Sequence, residues 1–275
     1  MGIPKIIFQT WKSKTDIPAN FAYWANTFRE LNPAYEYRLW DDADNRAFIE
    51  AHYRWFLATY DAYPAEIYRA DAVRYFFLFH FGGIYVDMDT ECLRPFDALL
   101  DVADVVLGTM GTNPGFRHSL PNAVMLSAPR QEFWLLVMSL LLEPASTENT
   151  RPESVTGPVL LKGAHRLYAG RDASVTARIA GIRARLAAQD APDATPTRIA
   201  TLPGYVLFPL DWSDRIHDRM FRRPMMREGK VPDRKTVLGL FPHSITVSYW
   251  AHSWGPSVAG AGSGVRAPQA TGTPD

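Results

Sequence analysis

Apolar positions change their spacing along the first eighty residues in a way that predicts alternating strands and helices. Residues 5–11 and 35–40 have the short β-rich pattern of strands, whereas residues 21–31 repeat with the spacing of one helix face. A second helix is expected to run from an N-cap at Asp41 or Asp42 to about residue 60. Strands that alternate with helices favour an α/β fold with a mostly parallel central sheet.

The middle of the chain brings a helix directly into a strand. Residues 65–81 are apolar enough for a largely buried helix, and Gly82-Gly83 is expected to end it because glycine accepts positive φ. The next strand, residues 84–86, runs into Asp87-Met88-Asp89. Residues 144–203 are expected to hold helices and variable loops. Further strands are predicted at residues 102–107, 123–127, 206–209 and 244–249.

Composition indicates a globular protein with one main domain. Of the 275 residues, 47% are hydrophobic and 21% are charged, which is the balance of a chain that buries a sizeable core. Residues 1–256 are predicted to form this domain. Residues 257–275 are rich in Gly, Ala, Ser, Pro and Thr, and we expect a disordered tail because they cannot bury enough apolar surface.

Charge and cysteine content narrow the partners and the compartment. Lys plus Arg and Asp plus Glu both number 29, so no strong overall field attracts nucleic acid. Cys92 is the single cysteine, which excludes an intramolecular disulfide and favours a reducing compartment. The chain start lacks a signal-peptide pattern, and the longest apolar run falls short of the ~20 residues of a membrane span. We expect a cytoplasmic protein, with peripheral membrane contact left open.

The Asp87-Met88-Asp89 triplet is the strongest chemical feature of the sequence. In an extended segment, residues two apart point to the same face, so both carboxylates would face one cavity with Met88 packed behind them. Two close negative charges repel unless a cation lies between them, and a hard divalent cation meets that need. Open α/β sheets bind ligands beyond the carboxyl ends of their strands, which is where this pair lies.

Asp71 and Arg74 lie three residues apart on the helix before that strand and therefore share a helix face. An ordinary surface ion pair is one interpretation of this spacing. The apolar surroundings favour another, because charges on a buried helix need partners. In that case Arg74 would offer donors to phosphate oxygens, and Asp71 would accept hydrogen bonds from sugar hydroxyls.

Four segments taken together resemble glycosyltransferase family 32. They are residues 3–11, which end in Gln9-Thr10-Trp11, residues 32–42, residues 69–75 around Asp71, and residues 82–89 with the Asp-x-Asp triplet. This family includes initiating mannosyltransferases, sphingolipid mannosyltransferases and capsular polysaccharide transferases, and the glucosylating clostridial toxins share a related core. The resemblance is dense over residues 3–100 and sparse afterwards, with Thr156-Gly157-Pro158 among the later islands.

The resemblance implies a GT-A fold, a nucleotide-sugar donor, a divalent cation (Mn²⁺ or Mg²⁺) and a retaining hexosyl transfer to a glycan, polysaccharide or lipid-linked acceptor. Asp71, Arg74, Asp87, Asp89 and Asn122 would be the catalytic residues. The donor would contact several of these and a set of further residues: Trp11, Asp71, Arg74, Tyr85, Asp87, Ser253 and Trp254. On residue type alone, Trp11 and Tyr85 also fit ordinary core aromatics, and Asn122 an ordinary turn residue.

The end of the chain departs from the family pattern. Many relatives carry a His pair before the final Ser-Trp, where this chain has Ser248 and Tyr249. The third metal contact implied by the resemblance would then come from His252, or from Ser248 through water. Phe8 likewise stands where the family usually has His.

Two other functions remain open from the sequence. A non-catalytic nucleotide-sugar or glycan-binding relative is one, because the late His positions are altered. A toxin-like transferase that glycosylates a protein is the other, and it differs only in the acceptor.

Overall fold

The structure is a computed structural model that describes residues 2–143, 150–189, 193–211, 214–224 and 233–251. The strands are β1 (Ile6–Thr10), β2 (Glu36–Trp40), β3 (Gly83–Val86), β4 (Thr90–Cys92), β5 (Val105–Gly108), β6 (Val124–Ser127), β7 (Ile199–Leu202) and β8 (Thr246–Ser248). The longer helices are α1 (Ala19–Leu31), α2 (Asp42–His52), α3 (Arg54–Ala62), α4 (Glu66–His80), α5 (Glu132–Leu141), α7 (Pro158–Gly170) and α8 (Ala173–Ala187). The shorter helices are α6 (Pro152–Val155), α9 (Gly204–Leu207), α10 (Arg215–His217, continued by a wider turn over Asp218–Arg222) and α11 (Arg234–Leu240).

The central sheet has six strands in the order β2-β1-β3-β6-β5-β7. β1 pairs parallel with β2 and β3, and β5 pairs parallel with β7. β6 runs antiparallel to both of its neighbours, β3 and β5, so the other five strands point the same way. This topology confirms the predicted α/β class with a mostly parallel sheet.

Aromatic and aliphatic side chains fill both faces of this sheet. α4 lies across one face, where its Phe76 and Phe77 and Trp134 of α5 are fully buried. A second cluster around Ile84, Val106 and Leu126 fills the opposite face. The longest apolar run of the sequence lies in α5, whose core side chains are fully buried. Among the described residues, no helix is long and apolar enough to cross a bilayer.

The long helix predicted from Asp41 to about residue 60 is wrong, because the chain forms α2 and α3 with a break at Tyr53. The predicted N-cap is present: Asp41 accepts from the backbone N–H of Asp44, and Asp44 caps in return. At Tyr53 the backbone leaves the helical region, and the ring is buried against Phe76 at 4.7 Å between ring centroids. Burying this ring is the physical reason for the break.

The part of the chain after residue 200 differs in places from the sequence-based predictions. Residues 206–209 were expected as a strand, but Val206 lies in α9, and the sheet strand is β7 instead; a short apolar run fits either a helix or a strand. The strand predicted at 244–249 exists as β8, but it pairs antiparallel with β4 in a separate two-stranded sheet. The tail at 257–275 lies outside the described residues, and the single domain at 1–256 stays a prediction.

Candidate active site

The candidate site lies where β1 and β3 end, side by side. β1 ends at Thr10, and β3 ends immediately before Asp87. Gly83, the first residue of β3, makes this pairing possible. Gly83 has φ +90°, and a Cβ there would lie 2.6 Å from the carbonyl oxygen of Ile6. The Gly82-Gly83 turn therefore delivers the first carboxylate of the triplet to the edge of the sheet.

Arg74 of α4 connects the polar side chains of this edge. It is buried, and its Nη2 lies 2.8 Å from Oδ1 of Asp71 while its Nη1 lies 3.1 Å from Oδ1 of Asp87. Nη1 also donates to the carbonyl oxygen of Asn122 at 2.9 Å. The guanidinium carbon stands 4.4 Å from the centre of the Tyr85 ring. The interpretation of Asp71 and Arg74 as an exposed surface pair is therefore wrong.

Asn122 and Tyr85 complete this network. The amide of Asn122 donates to Asp71 at 3.1 Å, and the Tyr85 hydroxyl donates to Oδ1 of Asp87 at 2.9 Å. Thr10 lies 3.3 Å from the same hydroxyl. Asn122 thus reaches the network through its side chain as well as its backbone carbonyl, more than an ordinary turn residue would do.

Tyr75 is a member that the sequence analysis missed. Its buried hydroxyl receives a hydrogen bond from the Asn122 amide at 3.1 Å and donates to the carbonyl of Thr156 at 2.9 Å. Gly157 approaches so closely that a Cβ there would lie 3.0 Å from Oδ2 of Asp71. The Thr156-Gly157-Pro158 island therefore packs directly on the site. Tyr75 lies four residues after Asp71 on α4, and that spacing was the available signal.

Burial shapes the electrostatics of the carboxylates. It raises the pKa of Asp71 to about 6, although the Arg74 charge acts against this. Burial also raises the pKa of Asp87, again opposed by Arg74. For Asp89, burial and the nearby Asp87 charge together raise the pKa to about 7. Burial alone would lower the pKa of Arg74, but the negative charges of Asp87 and Asp71 raise it, so Arg74 remains protonated.

The triplet itself forms a tight turn, and the expectation of an extended segment is wrong. The N–H of Thr90 bonds to the carbonyl of Asp87 at 3.2 Å, so the chain reverses between β3 and β4. Met88 is buried behind the turn, as expected. Asp87 is held from the α4 side. Asp89 is held from the other side, where its Oδ2 accepts from the backbone N–H of Ala251 at 2.8 Å.

The side chains present fit a hard divalent cation. Asp87 and Asp89 are both partly exposed, and the pKa of Asp89 responds to the Asp87 charge, so the two carboxylates share one electrostatic environment. Among the described residues, no group of three His, Cys, Asp or Glu side chains completes a metal shell. One or two carboxylates with substrate phosphates is the usual arrangement for Mg²⁺. The donor set therefore suits a cation that binds together with a diphosphate.

Trp11 and Phe8 differ in their surroundings. Trp11 follows β1, is partly exposed, packs 4.8 Å from the Phe21 ring and donates its indole N–H to the carbonyl of Asp16. The Trp11 side chain is thus partly accessible just beyond the end of β1. Phe8, which replaces the family's usual His, is fully buried and stacks on Phe77 at 5.2 Å. Phe8 is a core residue.

The third metal contact, from His252 or from Ser248 through water, stays a prediction. Ser248 is fully buried, and its hydroxyl lies 2.8 Å from that of Thr90. Tyr249 is buried as well, and its hydroxyl bonds to Glu91. His252, Ser253 and Trp254 lie outside the described residues.

Comparison with known proteins supports the resemblance. Residues 18–106 match the family described as "glycosyltransferase sugar-binding region containing DXD motif", which covers Asp71, Arg74 and both acids of the triplet. An inositol phosphoceramide mannosyltransferase of Schizosaccharomyces pombe is 38% identical over 152 residues, which are 51% of this chain and 43% of that protein. A mannosyl phosphorylinositol ceramide synthase of Saccharomyces cerevisiae is 43% identical over 139 residues, 50% of this chain and 35% of that protein.

The chain thus spans less than half the length of these curated relatives. Among solved structures, the PaToxG glycosyltransferase aligns with a TM-score of 0.48 and 17% identity, over 70% of this chain and 81% of that chain. The resemblance to DXD-containing glycosyltransferases is confirmed by the family match and the relatives.

Proposed function

Because residues 18–106 belong to the DXD-containing glycosyltransferase region, we propose that this chain transfers a hexose from a nucleotide-sugar to an acceptor hydroxyl with the help of a divalent cation. The observation that carries the proposal is the network of Asp71, the buried Arg74 and Asp87 at the ends of β1 and β3, two residues from the partly exposed Asp89. A purely structural ion pair has no need of a second, partly exposed carboxylate two residues away.

Asp87 and Asp89 would hold the cation, with Mn²⁺ and Mg²⁺ as the candidates. When bound, the cation offsets the negative charge that develops on the leaving diphosphate. His252 remains proposed as a further ligand. Trp11 would stack on the nucleotide base of the donor with the accessible part of its side chain. Ser253 and Trp254 would cover the donor from the end of the chain.

Arg74 would act mainly through its neighbours. Its Nε, Nη1 and Nη2 already donate to the Ala70 carbonyl, the Asn122 carbonyl and the two carboxylates. We therefore assign it the role of orienting Asp71 and Asp87. Asp71, with Asn122 beside it, would accept hydrogen bonds from the hydroxyls of the donor sugar. Tyr85 would orient the Asp87 carboxylate in the same way.

The reaction would break the bond between the anomeric carbon and the phosphate oxygen and form a bond from that carbon to the acceptor oxygen. We propose retention through attack on the face that the diphosphate leaves. The acceptor proton would then pass to the leaving phosphate oxygen, which needs no protein nucleophile. Buried donors and charges that are fixed before the reaction stabilise such a transition state without reorganisation.

The names of the relatives suggest a first donor and acceptor. Those proteins are called mannosyltransferases, and their named acceptors are inositol phosphoceramides. We propose GDP-mannose as the first donor to test and the inositol headgroup of a phosphorylated lipid as the first acceptor. UDP-glucose and UDP-galactose are the alternative donors, and glycans the alternative acceptors.

A lipid acceptor requires contact with a lipid surface, and the helical segment from Arg215 to Pro224 offers one. Ile216 and Met220 lie four residues apart, and their exposed fractions are 65% and 59%. The exposed side chains of Arg215, Arg219 and Arg223 follow the same spacing, with Arg223 paired to Asp218. Apolar side chains flanked by arginines complement an anionic membrane surface. We propose peripheral membrane contact through this face of a cytoplasmic protein.

A screen of donors tests the proposal. Thermal stability and donor hydrolysis would be measured with GDP-mannose, UDP-glucose and UDP-galactose, each with and without Mn²⁺. Stabilisation and slow hydrolysis by one donor in the presence of Mn²⁺ would support a transferase. Binding without turnover, also after acceptor lipids are added, would favour the non-catalytic relative, and transfer to protein acceptors alone would favour the toxin-like alternative. The absence of any donor effect would contradict the proposal.

A further inference from the structure

Glu91 lies two residues beyond the triplet and is fully buried, although it carries a carboxylate. Its Oε2 accepts a hydrogen bond of 2.6 Å from the hydroxyl of Tyr249, and its Oε1 forms an ion pair with Arg234 of α11. Arg234 also donates to the carbonyl of Cys92 at 3.1 Å. A buried carboxylate is costly unless it is paired in this way, so the arrangement calls for an explanation.

The partner of Glu91 belongs to the segment that holds Asp89. The ring of Tyr249 is stacked on Trp24 at 4.7 Å, and its backbone N–H bonds to the carbonyl of Asp89 at 2.9 Å. Two residues later, the N–H of Ala251 bonds to the carboxylate of Asp89 at 2.8 Å. The path of residues 249–251 therefore decides where Oδ2 of Asp89 points.

Trp250 between them is held in an unusual backbone conformation. Its φ is +55°, in the left-handed region that bulky side chains rarely adopt. Its indole N–H donates to the carbonyl of Leu210 at 2.6 Å, and its ring packs 5.7 Å from that of Phe208. Such a conformation persists only where the surroundings fix it, and here both neighbours of Trp250 are tied to Asp89.

We propose that Glu91 is a positioning residue, which acts through Tyr249 and Ala251 to aim the Asp89 carboxylate at the cation. The inference rests on the proposed function, because it assigns the cation to Asp89. Glu91 itself does not touch the cation or the donor. Arg234 neutralises Glu91, and the hydroxyl of Tyr249 ties it to the arm of residues 249–251.

The first half of the triplet does not depend on this arm. Asp87 is oriented by Arg74 and Tyr85, which lie on α4 and β3. Loosening the arm should therefore weaken cation binding through Asp89 while the Asp87 side keeps its geometry. A tenfold to hundredfold loss of metal affinity is usual when a group that orients a metal ligand is removed.

The test is Glu91→Gln, with Mn²⁺ binding measured directly by electron paramagnetic resonance of the free ion, well below the melting temperature. The amide keeps the shape but loses the charge and one acceptor, so we expect about tenfold weaker Mn²⁺ binding. Tyr249→Phe keeps the ring on Trp24 and removes only the hydroxyl. It should fold normally and weaken Mn²⁺ binding several-fold.

Glu132→Gln is the matched control. Glu132 also meets an arginine and a tyrosine, with Arg183 at 2.8 Å and the Tyr168 hydroxyl at 3.2 Å, but these partners lie outside the arm of residues 249–251. It should lose stability and keep wild-type Mn²⁺ affinity. Wild-type affinity in both Glu91→Gln and Tyr249→Phe would overturn the inference and leave the proposed function standing. A wild-type protein that binds neither Mn²⁺ nor any donor would overturn both.

Discussion

Arg74 and Asp87 meet across the site with 3.1 Å between Nη1 and Oδ1, although one lies on α4 and the other follows β3. The same guanidinium holds Asp71 one turn earlier on its own helix. The buried guanidinium of Arg74 thus joins α4 to the triplet. Removing it should lower the free energy of unfolding and disturb the orientation of Asp71 and Asp87.

Arg74→Ala should destabilise the protein by about 3–5 kcal/mol, because it leaves Asp71 buried without its charged partner. Arg69→Ala is the matched control on the same helix. Arg69 pairs with Glu66, also three residues apart, but the Glu66 side chain is 58% exposed. Arg69→Ala should therefore lower the free energy of unfolding by only about 1 kcal/mol. Urea unfolding of both variants measures the difference, and equal costs would contradict the assignment of Arg74 as a buried hub.

Gly83→Ala should prevent β1 and β3 from pairing as they do. A Cβ at φ +90° would lie 2.6 Å from the Ile6 carbonyl, and backbone cannot yield cheaply there. We expect a loss of several kcal/mol or an insoluble protein. Gly163→Ala on α7 meets nothing within 4 Å and should instead stabilise by about 0.5–1 kcal/mol. Thermal melts compare the two, and a well-folded, fully stable Gly83→Ala protein would be the contrary result.

His80 should make the protein less stable in mild acid. Burial, helped by the charges of His52, Arg130 and Arg38, lowers its pKa from 6.5 to about 4. Because the unfolded chain binds the proton more tightly, this contribution is complete above pH 6.5 and is lost as the pH falls towards 4. The loss amounts to at most about 3 kcal/mol.

His80→Gln separates this effect from packing. Near pH 7.5 the variant should be less stable, since the His80 ring packs on Phe48 and Phe81 and bonds to Tyr53. Towards about pH 4.5 the gap to wild type should narrow, because only wild type gives up the buried neutral imidazole. Urea unfolding across this range gives the gap directly. A gap that is constant with pH would contradict a lowered pKa at His80.

The membrane face should bind vesicles in a charge-dependent way. Sedimentation with phosphatidylserine–phosphatidylcholine vesicles should pull down wild type, and the double variant Ile216→Ser, Met220→Ser should bind several-fold more weakly. Val102→Ser removes another exposed apolar side chain, 40% exposed and distant in sequence, and should leave binding unchanged. Equal binding to neutral vesicles, or no loss of binding in the double variant, would contradict membrane contact through this face.

Much of the fold follows from local pattern in the sequence. The α4–Gly82-Gly83–β3 unit was predicted closely, because a buried helix, two glycines and a short apolar strand leave few alternatives. The break at Tyr53 was missed because the ring that causes it is buried against Phe76, far along the chain. The helical turn α9 was missed because four apolar residues do not define a period.

The sequence pointed to several of the residues that meet at the candidate site, but not to their geometry. Spacing on α4 placed Asp71 and Arg74 on one face, yet it could not show that Arg74 reaches Asp87 and the carbonyl of Asn122, which is set by tertiary packing. The turn at the triplet and the buried Glu91–Tyr249 contact depend on β8, whose pairing with β4 joins residues more than 150 positions apart. No local pattern carries such information.

Asp89 is proposed to bind a cation together with a nucleotide-sugar. Isothermal titration of GDP-mannose and UDP-glucose into wild type, Asp89→Asn and Asp97→Asn, each with and without Mn²⁺, tests it most directly. Asp97 is an exposed acid paired with Lys5 and serves as the control. We predict Mn²⁺-dependent binding of one donor by wild type and Asp97→Asn, and a loss of at least about tenfold in folded Asp89→Asn. Donor binding that is independent of Mn²⁺, or unchanged in Asp89→Asn, would contradict the claim.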